Sequence, residues 1–94
     1  MQIFSTQKAE SDLDELARFY AERDPRVALR LLAAIDKARE HLSHFPESGR
    51  PGRVDGTREW IVWGTPFILV YLIRNDSLRL LRVLHHARQW PPTI

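Results

Sequence analysis

The hydrophobic period of this chain changes once, at Pro46, and that change imposes a helical half followed by a β half. Before it, apolar residues recur at helical spacing. Ala9, Leu13, Leu16, Ala17 and Tyr20 fall on one face of a first segment, and Ala28, Leu31, Leu32, Ile35, Ala38 and Leu42 on one face of a second. Proline supplies no N–H and disfavours helix in the residue before it, so Pro46 ends the second segment. From Pro46 to Gly56 the residues are mostly Gly, Pro, Ser and Arg, which reads as a loop. Beyond Gly56 the pattern has the period of strands.

Local signals sharpen these elements. Ser5 or Thr6 caps the first helix, and Glu10 and Asp12 lie early in it, where the helix dipole favours anions. Asp24 is a good N-cap for the second helix and Pro25 suits its first position. The link near Glu22-Arg23 is short, so the helices form an antiparallel hairpin. Three strands follow. Arg58 to Trp63 alternates, with Arg58, Trp60 and Val62 on one side and Glu59, Ile61 and Trp63 on the other. Gly64-Thr65-Pro66 makes a turn. Phe67 to Ile73 is apolar throughout, as in a central strand buried on both sides. Asn75-Asp76 marks a hairpin turn, and Leu78 to His85 is the last strand. Arg79 and Arg82 have opposite parity there, which puts one on each face. Gln2 to Phe4 reads as a short edge strand. The expected architecture is α+β: an N-terminal antiparallel helical hairpin packed on a small antiparallel β-sheet whose other face is partly open. Residues 1–94 form a single domain, with no repeats and no dividing linker.

Composition narrows the function classes. The absence of cysteine excludes disulfides, thiol catalysis and cysteine-zinc sites. No apolar run approaches membrane-spanning length, and Met1-Gln2-Ile3-Phe4-Ser5 lacks the pattern of a signal peptide, so a cytoplasmic protein without a membrane partner is expected. There is no phosphate-binding Gly-x-x-x-x-Gly-Lys loop and no His-Glu-x-x-His helix. No cofactor is expected, and no metal: His41 and His44 lie three apart, but near a helix C-terminus they read as solvated groups favoured by the dipole.

Charge is divided unevenly. Residues 1–47 carry seven basic and nine acidic side chains, whereas residues 48–94 carry seven basic and three acidic. The second half is therefore the expected contact for an anionic partner. Arg50, Arg53 and Arg58 stand in and after the loop, and Arg82 and Arg88 near the last strand, all expected to gather on the open side of the sheet. Each presents a planar fork of donors that fits phosphate or carboxylate. His85 and His86 follow one another, so at most one reaches the open side. A histidine there, beside Arg82 and Arg88, has the acid–base chemistry for phosphodiester cleavage; the alternative is a hydrogen-bonded ring that ends the strand. Trp90 either stacks on a base or covers the edge of the core, with packing favoured.

Several stretches together resemble the RelE/ParE superfamily of bacterial toxins, the poison halves of type II toxin–antitoxin pairs. They are Ala9 to Leu16, Asp24 to Ala28, Phe45 to Arg50, Gly56 to Glu59, Val70-Tyr71 and Arg82 to Pro91. The resemblance implies a cognate antitoxin as partner and one of two targets. RelE-like members cut messenger RNA on the ribosome. For them the matching positions are Arg50 and Arg53, then Arg58, then Arg88 with His85 or His86. Trp90 falls near the position of a family tyrosine and has no hydroxyl to exchange a proton. ParE-like members share the fold, lack the catalytic set and poison DNA gyrase. The ending Arg82-Val83-Leu84-His85 and the Gly49-Arg50-Pro51 loop resemble ParE more closely, so a ParE-like, gyrase-poisoning toxin is the expectation. A ribosome-dependent endoribonuclease and an inactive binding module are the alternatives. Arg50, Arg53, Arg82 and Trp90 are the expected binding residues, with Arg58, His85, His86 and Arg88 catalytic in a ribonuclease.

Overall fold

The computed structural model describes residues 1–86. Chain order is β1 (Gln2–Ser5), α1 (Gln7–Arg23), α2 (Pro25–His44), β2 (Arg50–Pro51), β3 (Arg58–Ile61), β4 (Phe67–Arg74) and β5 (Ser77–His85). The strands form one sheet in the order β1-β5-β4-β3-β2, with the two helices packed on one face. This is the expected α+β architecture. The meander β2 to β5 is antiparallel, whereas β1 joins β5 in parallel, so the sheet is mixed.

Caps fix both helices. Thr6, not Ser5, starts α1: its Oγ1 accepts from the Ala9 N–H at 3.1 Å and donates to the Leu81 carbonyl at 2.9 Å, so one hydroxyl joins helix and sheet. Asp24 serves two helices. Its backbone N–H donates to the Tyr20 carbonyl, closing α1, and its Oδ1 accepts from the Arg26 N–H at 3.0 Å, opening α2. The link is thus a single residue, one later than expected. Pro25 at the start of α2 has no N–H to satisfy.

The core lies between the helices and the covered sheet face. Leu16, Leu31, Ile35 and Leu42 meet Val62, Leu69, Tyr71, Leu78, Leu80 and Val83 there. Ile68, Val70 and Leu84, of the opposite parity, are buried as well. Residues Phe67 to Tyr71 are buried without a break, as a central strand requires. The β4–β5 hairpin turns on Asn75 and Asp76, both with left-handed φ of 52° and 60°. That is the backbone of a two-residue type I′ turn, which matches the twist of the flanking strands. No helix among the described residues is long and apolar enough to cross a membrane.

The register slips once. Val70 pairs with Arg82 and Tyr71 with Leu80, leaving Leu81 as the extra residue of a β-bulge. A bulge re-aims the side chains beside it. Simple alternation would keep Val83 off the face of Leu78 and Leu80, yet all three share the core.

The turn gives a direct test. Replacing Asp76 by glycine removes the Cβ penalty of the left-handed region, against a greater loss of chain entropy. Asp76→Gly is expected to raise stability by up to about 1 kcal/mol, read as a higher urea midpoint at unchanged slope.

Candidate functional site: a stapled arginine loop

The segment between α2 and β3 has almost no secondary structure of its own, and side chains from the sheet hold it. Tyr71, fully buried in β4, donates its hydroxyl to the Pro46 carbonyl at 2.7 Å and accepts from the Gly49 N–H at 2.9 Å. A Cβ on Gly49 would stand 2.6 Å from that hydroxyl oxygen, so only glycine fits there. Arg58 Nη1 donates to the carbonyls of Gly49 at 2.8 Å and Glu47 at 3.2 Å. His41 stacks on Trp60, centroids 4.9 Å apart, and its Nε2 lies 3.1 Å from Ser48 Oγ. Gly52 N–H donates to the Thr57 carbonyl, which closes the loop at its far end.

Glu59 organises the loop's positive charge. Its side chain is 1% exposed and accepts from the Arg53 backbone N–H at 2.9 Å. Arg50 and Arg53 each bring an Nη2 to 3.4 Å from its Oε1, with their own side chains 55% and 44% exposed. A buried carboxylate needs such partners. The guanidinium groups keep roughly half their surface in water, so screening makes each of these ion pairs weak. Arg50 and Arg53 thus share one buried anion at this edge.

Arg82 has a different fate. Its Nε and Nη2 donate to the two oxygens of Asp12 at 2.8 and 3.0 Å, in a fork-to-fork pair between β5 and α1. Asp12 Oδ2 also accepts from the Val83 N–H at 2.9 Å. Asp12 is 7% exposed and Arg82 8%. The hydrogen bond to Asp12 raises the Arg82 pKa, against the opposing pull of burial, so this group is a permanent cation.

The arginines expected on one open face therefore occupy three places. Trp60, of the same parity as Arg58, stacks on α2, so Glu59 with Arg50 and Arg53 lies on the sheet face away from the helices. Arg58 turns to the carbonyls of the turn that follows α2, and Arg82 lies under α1. β4 separates β3 from β5, which puts their backbones about 10 Å apart. The expected convergence of Arg53, Arg58 and Arg82 is not formed. The bulge at Leu81 and the buried Asp12 are the physical reasons for Arg82, and Asp12 answers it rather than the helix dipole.

His85 pairs across the sheet with Phe67, ring centroids 5.7 Å apart, at a cleft of about 470 Å³. Glu15, Phe19, Tyr20 and Glu22 of α1 form the other wall. His86 is exposed, with its ring 4.8 Å from that of His85, and its N–H donates to the Pro66 carbonyl. Arg88 and Trp90 lie outside the described residues. Among the described residues no three His, Asp or Glu side chains could hold a metal. His41 is spent on Trp60 and Ser48, and His44 Nδ1 lies 3.0 Å from the Glu40 carbonyl oxygen. The side chains that arrange the site, Asp12, Glu59 and Tyr71, were not among the expected site residues.

Removing one member of the buried pair strands the other charge. Asp12→Ala is expected to cost about 3–5 kcal/mol in chemical denaturation, and Asp12→Leu with Arg82→Met to recover most of it. Burial pushes the Tyr71 phenol above its ordinary pKa of 10.0, ahead of the opposing hydrogen bond from Gly49. The fold thus favours the neutral phenol. Its contribution is intact below that ordinary value and is lost as pH climbs through the raised one. Urea midpoints should fall less between about pH 9 and about pH 11 in Tyr71→Phe than in the parent chain.

Comparison with known proteins identifies the family. The chain is 38% identical over 89 residues to the candidate toxin Y4kP of Sinorhizobium fredii, covering 95% of this chain and 92% of that protein. It is 28% identical over 83 residues to a Caulobacter vibrioides protein named Toxin RelE1, covering 87% and 89%. A solved structure of the chromosomal ParDE system of P. aeruginosa superposes with a TM-score of 0.81 at 26% identity, covering 90% of this chain and 95% of that one. Residues 3–90 match the family described as ParE toxin of type II toxin-antitoxin system, parDE. The chain therefore belongs to the ParE toxins of type II toxin–antitoxin systems.

Proposed function

We propose that this chain arrests growth by binding and poisoning DNA gyrase, and that a cognate antitoxin neutralises it. The observation that carries the reading is the Asp12–Arg82 pair. A ribonuclease site would set that guanidinium against a phosphate or its transition state. Here it is buried and forked onto a carboxylate. The one fully buried phenol, Tyr71, donates its hydroxyl in a hydrogen bond to a backbone carbonyl, and its raised pKa keeps it protonated. What remains for a partner is a docking surface: the half-exposed Arg50 and Arg53, exposed Trp63 and the exposed edge of a small sheet. An acidic antitoxin segment that orders on binding fits the charge and the strand edge. Gyrase and its DNA place the action in the cytoplasm.

The deciding experiment mixes purified protein with gyrase and supercoiled DNA. Protein-linked double-strand breaks are expected. Arg50→Ala with Arg53→Ala should raise the concentration needed by about tenfold or more. Intact DNA at large excess of the toxin would reject the gyrase target. Ribosome-dependent cleavage is the second reading, favoured by the relative named Toxin RelE1. It predicts codon-positioned cuts in translated message that vanish on combining Arg58→Ala, His85→Ala and His86→Ala. Growth arrest on induction, relieved by the antitoxin, separates both from an inactive binding module.

A further inference from the structure

We propose that Tyr71 is a positioning residue whose hydroxyl clamps the turn at residues 46–49 and thereby sets where Arg50 and Arg53 stand. The proposal rests on the reading of those arginines as target contacts. Tyr71, Arg58 and Pro51 lie on one rung across β4, β3 and β2, and Arg50 pairs with Glu59 on the next. β2 has two residues, too few to hold its own register. Its position is therefore imposed from outside. On one side Glu59 takes the Arg53 N–H and the two guanidinium groups. On the other, the residue directly before Arg50 has its N–H on the Tyr71 hydroxyl and its carbonyl on Arg58.

The chemistry of position 71 argues for the hydroxyl. The ring alone would fill the core, since phenylalanine has nearly the same shape. A buried phenol is tolerated only when its polar end is satisfied. Both of its bonds go to one turn, 22 and 25 residues earlier in the chain. Gly49 leaves room for the contact and for no side chain. Loss of the hydroxyl would free the Gly49 N–H and the Pro46 carbonyl to water and let the turn and β2 drift together.

Tyr71→Phe tests this in the full chain, with Gly49→Ala as a second variant that breaks the same contact from the loop side. Amide exchange at Gly49 should quicken about tenfold, with α2 and β4 amides unchanged. The Arg53 amide resonance should move. The toxin concentration that traps gyrase on DNA should rise several-fold. Adding Tyr71→Phe to Arg50→Ala/Arg53→Ala should raise it no further, because the positioned groups are gone. An equal rise in both backgrounds, or faster exchange spread through α2 and β4, would mean that the hydroxyl serves only general stability and would overturn the proposal. If the parent chain leaves gyrase untouched, the target reading fails by itself. The Gly49 exchange and the Arg53 resonance then still decide whether the hydroxyl places the arginines.

Discussion

The bidentate pair between Asp12 and Arg82 ties the two halves of this fold together. It joins α1 to β5 across 70 residues of chain, and the same carboxylate takes the Val83 N–H beside the bulge. The Val83 N–H lies past the end of the β1 pairing at Leu80, and the bulge turns a guanidinium towards the helix. Asp12 satisfies both. Remove the carboxylate and a cation and an amide are left without that acceptor in a nearly dry place. Remove the bulge and Arg82 leaves α1. Replacing a buried ion pair by apolar residues is often neutral or stabilising, so its worth lies in specificity as much as in energy. We read it as the device that fixes how the helical hairpin sits on the sheet.

Charge is managed differently at the other edge. Asp12 takes one arginine out of circulation, whereas Glu59 holds two arginines by one end and leaves them half in water. An exposed guanidinium on a flexible loop loses side-chain and backbone freedom when it docks. One leaning on a buried carboxylate has lost part of that freedom already. The loop is thus held in shape, with Tyr71 and Arg58 behind it and Glu59 beneath it.

Most of the fold was legible because periodicity and capping agreed. The stripe from Ala28 to Leu42, the Asp24-Pro25 start and the Asn75-Asp76 turn each had one physical reading, and the structure follows it. The parallel partner of β1 was not legible, since an isolated run of Gln2 to Ser5 says nothing of which edge it joins or in which direction. The site was less legible than the fold. Alternation placed Arg82 by parity, but one inserted residue cancels parity, and no local signal at Leu81 announces a bulge. Asp12 did carry a signal. It sits between Ala9 and Leu16 on the buried stripe of α1, where an acid has to find a partner. Glu59 was hidden by its neighbours, because a charged residue between Arg58 and Trp60 looks solvated until the loop folds over it.

The pairing of β1 with β5 has a consequence for synthesis. Gln2 to Ser5 meet Ser77 to Leu80, and Thr6 donates to the Leu81 carbonyl. Contacts this far apart in sequence form late, because the intervening chain must be gathered first. A ribosome making this protein delivers both helices before their sheet exists, and β1 has no strand to pair with until β5 emerges. A truncated nascent product therefore lacks the floor beneath α1 and the anchor for Asp12. The cell meets a finished poison only when translation has passed the final strand.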